Sequence, residues 1–310
     1  MKTIAYPLGS VSKLPQRPAW LGQELYPFRS RYFAHRGARL HYVDEGQGPA
    51  ILFSHPAVGW SFMYREMVRI LRRRFRCIAI DYPGFGLSGT PEGWPFTLQA
   101  QSEALEALAD HLGLAEAIFL GHDTGGASAF ALAARRPRLA RGFILTDTII
   151  FPVQDFPHIN RFLAVLGSWP FRLLNEQLNL MMRITIHLGF AAKKLTAAEK
   201  QGYLQPAGTA ERRRSVIRVL TALRREKTLM ESITAAFSGQ LRHKPALLIC
   251  GENDKLVKLG VYQRIIDTLG QVEAHLVPGE EHFPHEGQAE WMARRIGEWM
   301  GMQWKCMEIQ

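Results

Sequence analysis

The sequence predicts an α/β fold, a mostly parallel sheet with helices on both faces and one large helical insertion. Short runs rich in Val, Ile and Leu alternate with segments of helical period, the form a parallel sheet and its crossover helices take in a sequence. Between "TDTIIFP" and "KPALLIC" roughly ninety residues keep helical periodicity without a convincing strand, too long for a plain loop. The 310 residues, 47% of them hydrophobic, can bury a large core and stand near the upper size for a single one.

Taken in order, the strands the pattern marks are "RLHYVDE", "AILFSH", "CIAID", "AIFLGHD", "GFILTDT", "ALLICGEN" and "EAHLVPG". Helical patterns fill 62–74, 97–112, 124–136, 257–268 and 287–301, and no internal repeat is present. The expected division is a core of residues 1–150 and 241–310 and a helical cap over 151–240. The cap carries Phe156, Phe162, Trp169, Phe171, Met181, Met182, Phe190 and Tyr203, enough apolar bulk to roof a pocket. Packing between cap and core is the ordinary use of such side chains.

Composition excludes several classes. The opening "MKTIAYPLGS" lacks a charged region followed by an apolar run and a cleavage site, so a secretory signal is not expected and a cytoplasmic address is. The stretch "LNLMMRITIHLGFAA" is broken by Arg183 and His187 and falls short of the ~20 residues of a membrane span. Cys77, Cys250 and Cys306 have neither metal spacing nor a disulfide pattern; the first two read as buried thiols in strands. The net charge of +10 gathers between Arg161 and Lys227 and includes "ERRRSVIRVLTALRREK", an amphipathic helix whose charged side is expected to be solvated. Peripheral contact of this basic cap with an anionic membrane is the alternative. No nucleic-acid partner is expected, and nothing in the sequence sets the oligomeric state.

The chemistry centres on "GHDTGG", residues 121–126. A glycine-flanked residue between a closing strand and an opening helix stands at the carboxyl end of the sheet, where open parallel sheets bind ligands. The residue is Asp123. A carboxylate is ionised at neutral pH and needs no base to attack a saturated carbon bearing a leaving group. The product is an ester whose carbonyl belongs to the enzyme, so its hydrolysis requires a general base and an oxyanion hole.

His282, in "VPGEEHFPHEG" after the last strand, is the expected base, with His285 as rival. Asp254 in "CGENDKLV" would orient the imidazole; Asp147, which also follows a strand, is the alternative acid. The oxyanion hole should use the backbone N–H groups of Thr124 and Ala57, since Pro56 has none. His55 is expected to shape its loop by hydrogen bonding. Trp60, Phe151, Trp169, Tyr203 and Phe283 join His55 as candidate pocket residues. No metal or cofactor is expected.

These residues carry a resemblance. Through "YPFRSRYFAHRGARLHYVDEGQGPAILFSH", "GWSFMYREM", "FRCIAIDYPGFGLSGTP", "GHDTGG", "ARRP", "GENDKLV" and "EHFPHEG" the chain resembles α/β-hydrolases of the haloalkane dehalogenase and epoxide hydrolase group, nearly end to end. The resemblance implies an eight-stranded α/β-hydrolase sheet with an inserted cap, and an Asp-His-Asp triad of Asp123, His282 and Asp254. It departs at two positions: dehalogenases hold the halide with an Asn and a Trp where this chain has Ala57 and Thr124. Each missing hydrogen bond to an anion is worth about 1.5 to 3 kcal/mol, so halide departure is expected to slow by about two to four orders of magnitude. Epoxide opening uses cap tyrosines in relatives, and here Tyr203 alone is available between residues 150 and 240. Bacterial β-lactone decarboxylases are similar to the same subfamily, and a basic, apolar cap would suit a lipid-like substrate. A small or medium apolar substrate, or a ligand-binding protein without turnover, completes the alternatives.

Overall fold

The computed structural model describes residues 17–188 and 195–305; Phe190, Cys306 and the opening ten residues lie outside them. Eight strands form one sheet in the order β1-β2-β4-β3-β5-β6-β7-β8. They are β1 (Arg31–His35), β2 (Ala38–Glu45), β3 (Ala50–Ser54), β4 (Arg76–Ile80), β5 (Ala117–His122), β6 (Ala140–Thr146), β7 (Ala246–Gly251) and β8 (Val272–Val277). The pairs β1–β2 and β2–β4 are antiparallel and all others parallel. The interior strands β5 and β7 are buried along their whole length, which is why they read as unbroken apolar runs rather than alternating ones. Strand β1, absent from the pattern-marked set, has one fully buried residue, Phe33. The two-residue turn that joins it to β2 is its local signal: Arg36 and Gly37 both have positive φ, as a primed hairpin turn requires.

The helices are α1 (Arg65–Leu71), α2 (Leu98–His111), α3 (Asp123–Arg135), α4 (Pro157–Leu166), α5 (Trp169–Leu178), α6 (Leu180–Leu188), α7 (Ala197–Leu204), α8 (Ala210–Arg225), α9 (Lys227–Ser238), α10 (Lys255–Lys258), α11 (Val261–Thr268), α12 (Pro284–Gly287) and α13 (Ala289–Lys305). The single helix expected over 257–268 is two, interrupted at Gly260, whose φ is +83°. Thr97 caps α2 by accepting from the Ala100 N–H at 3.1 Å, satisfying one of the donors a helix start leaves free.

Between β6 and β7 every regular element among the described residues is helical. Helix α8 buries Val216, Ile217, Val219, Leu220 and Leu223 and packs on α4 and α5, while α9 lies against α3. Two arginines of α8 do not join a solvated face. Arg212 donates to the carbonyls of Gly86 and Ser88, 2.8 Å each, and Arg213 to those of Glu176 at 2.8 Å and Gly208 at 2.7 Å. They tie α8 to the chain between β4 and α2 and to α5. No helix among the described residues is long and apolar enough to cross a membrane. Cys77 and Cys250 are buried free thiols.

Candidate active site

The turn from β5 into α3 is strained at its first helical residue. Asp123 has a φ of +47°, a left-handed conformation uncommon outside glycine and typical of residues held for function. Its carbonyl accepts from the Thr148 hydroxyl at 2.8 Å and its N–H donates to the Asp147 carbonyl at 3.2 Å, so the neighbouring strand end fixes the bend. Glycine is needed behind it because α3 passes too close for a side chain. A Cβ on Gly125 would come within 2.4 Å of the Ser54 and His55 carbonyls, and one on Gly126 within 2.1 Å of the Thr148 hydroxyl.

The loops after β7 and β8 bring the remaining groups. His282 Nδ1 stands 3.0 Å from Asp254 Oδ2, while the other Asp254 oxygen accepts from the Leu256 N–H at 3.1 Å and caps α10. Burial opposes charge on the imidazole, but Asp254 outweighs it and Asp123 adds to it, raising His282 to about 9. Asp254 is correspondingly held low: burial pushes it up, and His282 pulls it further down. Burial also raises the Asp123 carboxyl, offset in part by His282 and by the Thr124 N–H.

Asp147 is placed differently. It is buried, takes a φ of +40°, and accepts from the Gly251 N–H at 2.9 Å. Burial first, and then the nearby Asp254 carboxylate, push its carboxyl well above the ordinary range. Donor atoms of Asp147, Asp254 and His282 lie within 4.8 Å of one another; with one imidazole for two carboxyl groups, the charge on Asp254 opposes ionisation of Asp147. His282 is hydrogen-bonded to Asp254, and Asp147 stands beside that pair with its carboxyl raised.

The two expected oxyanion donors meet each other as well as the site. The Thr124 N–H faces the Asp123 carboxylate, but the Ala57 N–H donates to the Thr124 hydroxyl at 2.9 Å. A hydroxyl directly after residue 123 is the sequence signal for this. His55 accepts the Tyr82 N–H on Nε2 at 2.9 Å and contacts the Pro56 carbonyl through Nδ1 at 2.8 Å, the loop-shaping use expected of it. His285 is buried against His122, ring centroids 5.0 Å apart, and Phe283 packs against both His122 and His282, at 5.0 and 5.1 Å.

Of the other pocket candidates, Trp60 and Tyr203 line a small cavity of about 10 Å³ together with Ala57, Phe85 and Met182, room for about one water. Both have committed polar ends. The Trp60 indole donates to the Gly202 carbonyl at 2.8 Å, and the Tyr203 hydroxyl donates to Glu286. Trp169 is not a pocket residue: as the first residue of α5 it is 75% exposed, projecting away from the core. Phe151 is buried but lies beneath the Arg264 guanidinium, 4.2 Å from the ring, and is not among the residues lining the cavity.

Sequence reasoning missed Arg65. Fully buried, it donates to both oxygens of Glu286 and, at 2.8 Å, to Glu199. It stacks over Phe62 at 4.2 Å. One guanidinium thereby ties α1 to α7 of the insertion and to α12, which follows the His282 loop. Burial lowers it, but Glu286, Tyr203 and Glu199 more than compensate and raise it. No local signal marks it, since Glu286 lies 221 residues away.

Comparison with known proteins agrees with this fold. Residues 49–289 match the alpha/beta hydrolase fold family. The chain is 32% identical over 279 residues to haloalkane dehalogenase 2 of Mycobacterium tuberculosis, covering 90% of this chain and 97% of that one. It is 28% identical to a cis-3-alkyl-4-alkyloxetan-2-one decarboxylase of Shewanella oneidensis, over 84% of this chain and 80% of the relative. The crystal structure of haloalkane dehalogenase DbeA from Bradyrhizobium elkani superposes with a TM-score of 0.81 at 24% identity, over 90% of this chain and 99% of that one.

Proposed function

Because the chain belongs to the alpha/beta hydrolases and, within them, to the haloalkane dehalogenase-like family, we propose that it is an aspartate-nucleophile hydrolase working through a covalent ester. The observation that carries this reading is an aspartate held at a strained strand-to-helix turn, Asp123 with φ +47°, in a site where His282 is hydrogen-bonded to Asp254 at 3.0 Å. An oxygen of Asp123 attacks a saturated carbon, the bond to the leaving group breaks, and that group departs with the electron pair. Water, losing a proton to His282, then attacks the ester carbonyl; the Thr124 N–H stabilises the oxyanion, and the alcohol is released. Residues 151–240 serve as the cap, and the substrate is small and apolar or lipid-like. Such a substrate partitions into lipid, so a peripheral seat of the cap on a membrane belongs to the same reading.

The leaving group is better served as an oxygen than as a halide. Ala57 has no side-chain donor, and the Trp60 indole is taken by Gly202, so a halide finds little beyond the Thr124 hydroxyl. The carboxylate released from a β-lactone carries its charge over two oxygens and asks less of the site, and the decarboxylase relative acts on this substrate class by name. An epoxide is less well served, because the Tyr203 hydroxyl is bound to Glu286 and burial pushes it well above its ordinary range. The test is His282→Phe incubated with haloalkane, epoxide and β-lactone panels, followed by mass spectrometry of the peptide holding Asp123. Epoxide or intact lactone adds its whole mass and a haloalkane adds its mass less the hydrogen halide, so the adduct identifies the leaving group. No adduct from any panel, with the variant folded, overturns the reading in favour of a ligand-binding protein.

A further inference from the structure

Six of the nine large apolar side chains exposed among the described residues fall in one stretch of α4 and α5: Phe162, Val165, Trp169, Leu173, Leu174 and Leu178. Exposed apolar patches of this kind mark interaction sites more often than accidents. Beside it opens a cleft of about 620 Å³ into which Arg172, Arg214, Arg218, Arg224 and Arg225 project. The two features share one backbone: Ala164, Gly167, Ser168 and Arg172 line the cleft, while Val165, Trp169 and Leu173 between and beside them are exposed.

From this juxtaposition we infer that the α4–α5 face, with the arginine cleft at its edge, docks on an anionic membrane, seating lipid phosphates in the cleft and apolar side chains among the acyl chains. Charge complementarity favours this occupant. The acidic side chains at the cleft are few and engaged: Glu176 holds Arg214 through two bonds of 2.9 Å, and Glu226 caps α2 through the Leu98 and Gln99 N–H groups. Arg225 shows the surplus of positive charge. Burial lowers its guanidinium, Glu226 resists, and Arg218 and Arg172 lower it further. A soluble anion would use the cleft and leave the patch in water. Basic groups bordering a Trp- and Leu-bearing helix face are the pattern of a helix lying in a membrane interface. Tryptophan at its rim sits at headgroup depth.

This deepens the proposed function, resting on it for the reason a lipid surface is visited, and its test involves no turnover. The full chain is sedimented with vesicles of phosphatidylcholine alone or with about 30% phosphatidylglycerol, where each basic side chain near the surface contributes roughly fivefold to binding. Binding to the anionic vesicles alone is expected, weakened about tenfold or more in Arg172→Glu and lost in Trp169→Ser with Leu173→Ser. Thermal melting checks that each variant is folded. No vesicle binding overturns the inference. So does equal binding of wild type and folded variants, inorganic phosphate stabilising the protein without vesicle binding, or a dimer in light scattering that the patch variants dissolve.

Discussion

Two strand ends lie side by side in this sheet, and each places an aspartate in the left-handed region: Asp123 after β5 with φ +47° and Asp147 after β6 with φ +40°. Position and backbone strain are nearly the same, yet the electrostatics differ. Asp123 has a cationic imidazole and the Thr124 N–H to receive its charge. Asp147 has the Asp254 carboxylate beside it and the Gly251 N–H alone to offset that. In a buried pair of unequal partners the group nearer the cation ionises and the other keeps its proton. The neighbours, more than the turn, assign the chemical role.

The largest expected effect compares the same substitution at both ends. Asp123→Asn removes the proposed nucleophile and should lower kcat on the order of 10⁶-fold, whereas Asp147→Asn alters a carboxyl whose ionisation burial and Asp254 already oppose and should cost less than about tenfold. Steady-state turnover of whichever substrate labels Asp123 measures both, and equal losses would erase the distinction. Next comes Asp254→Asn, expected to cost on the order of 10⁴-fold because the imidazole loses its orienting anion. It should also let Asp147 ionise, since its principal like-charge neighbour is gone; carboxyl infrared difference spectra read that change directly. An Asp147 that stays protonated would show burial alone to be the cause.

A third effect is one of stability. Arg65→Met leaves Glu286 and Glu199 buried without their cation and should cost about 3 to 5 kcal/mol, measured by urea unfolding. Restoring stability by adding Glu286→Gln would confirm that the stranded carboxylate, rather than lost packing over Phe62, carries the cost. Activity should fall in the single variant as well, because Glu286 stands in α12, directly after the loop that presents His282.

What was legible in the sequence was what local physics decides. The β5–α3 turn could be read because its glycines answer to atoms only a few residues or one strand away, as the Gly126 contact with Thr148 shows. Asp254 and His282 could be named from their places after successive strands, since each loop emerges at the same edge of the sheet. Strand β1 escaped the pattern because a five-residue edge strand with one fully buried side chain has little alternation to show. Trp169 was misplaced because size and apolarity do not say on which side of a short helix a first-turn residue falls. The Arg65 cluster is a product of tertiary meeting and has no local signature, and the capture of the Ala57 N–H by Thr124, 67 residues apart in sequence, shows locally only as a hydroxyl after Asp123.

The smallest expected effect lies in the pH profile, and it separates the two half-reactions. In the free protein Asp254 and then Asp123 push His282 up against burial to about 9. Once Asp123 becomes an ester it is neutral and its share of that support ends, so His282 in the intermediate should titrate lower. Ester hydrolysis needs the neutral imidazole, and its rate should rise by up to about tenfold per pH unit before levelling off below pH 9. Ester formation needs no neutral base and should stay level over the same range. The stability consequence has the opposite sign. A folded value above the ordinary ~6.5 of histidine means the His282–Asp254 pairing stabilises fully below that value and ceases to as pH climbs through about 9. The melting gap between wild type and Asp254→Asn should therefore close on the alkaline side while hydrolysis is at its fastest. Rapid-quench kinetics across that window would exclude His282 as the base if formation of the ester tracked pH and its hydrolysis did not.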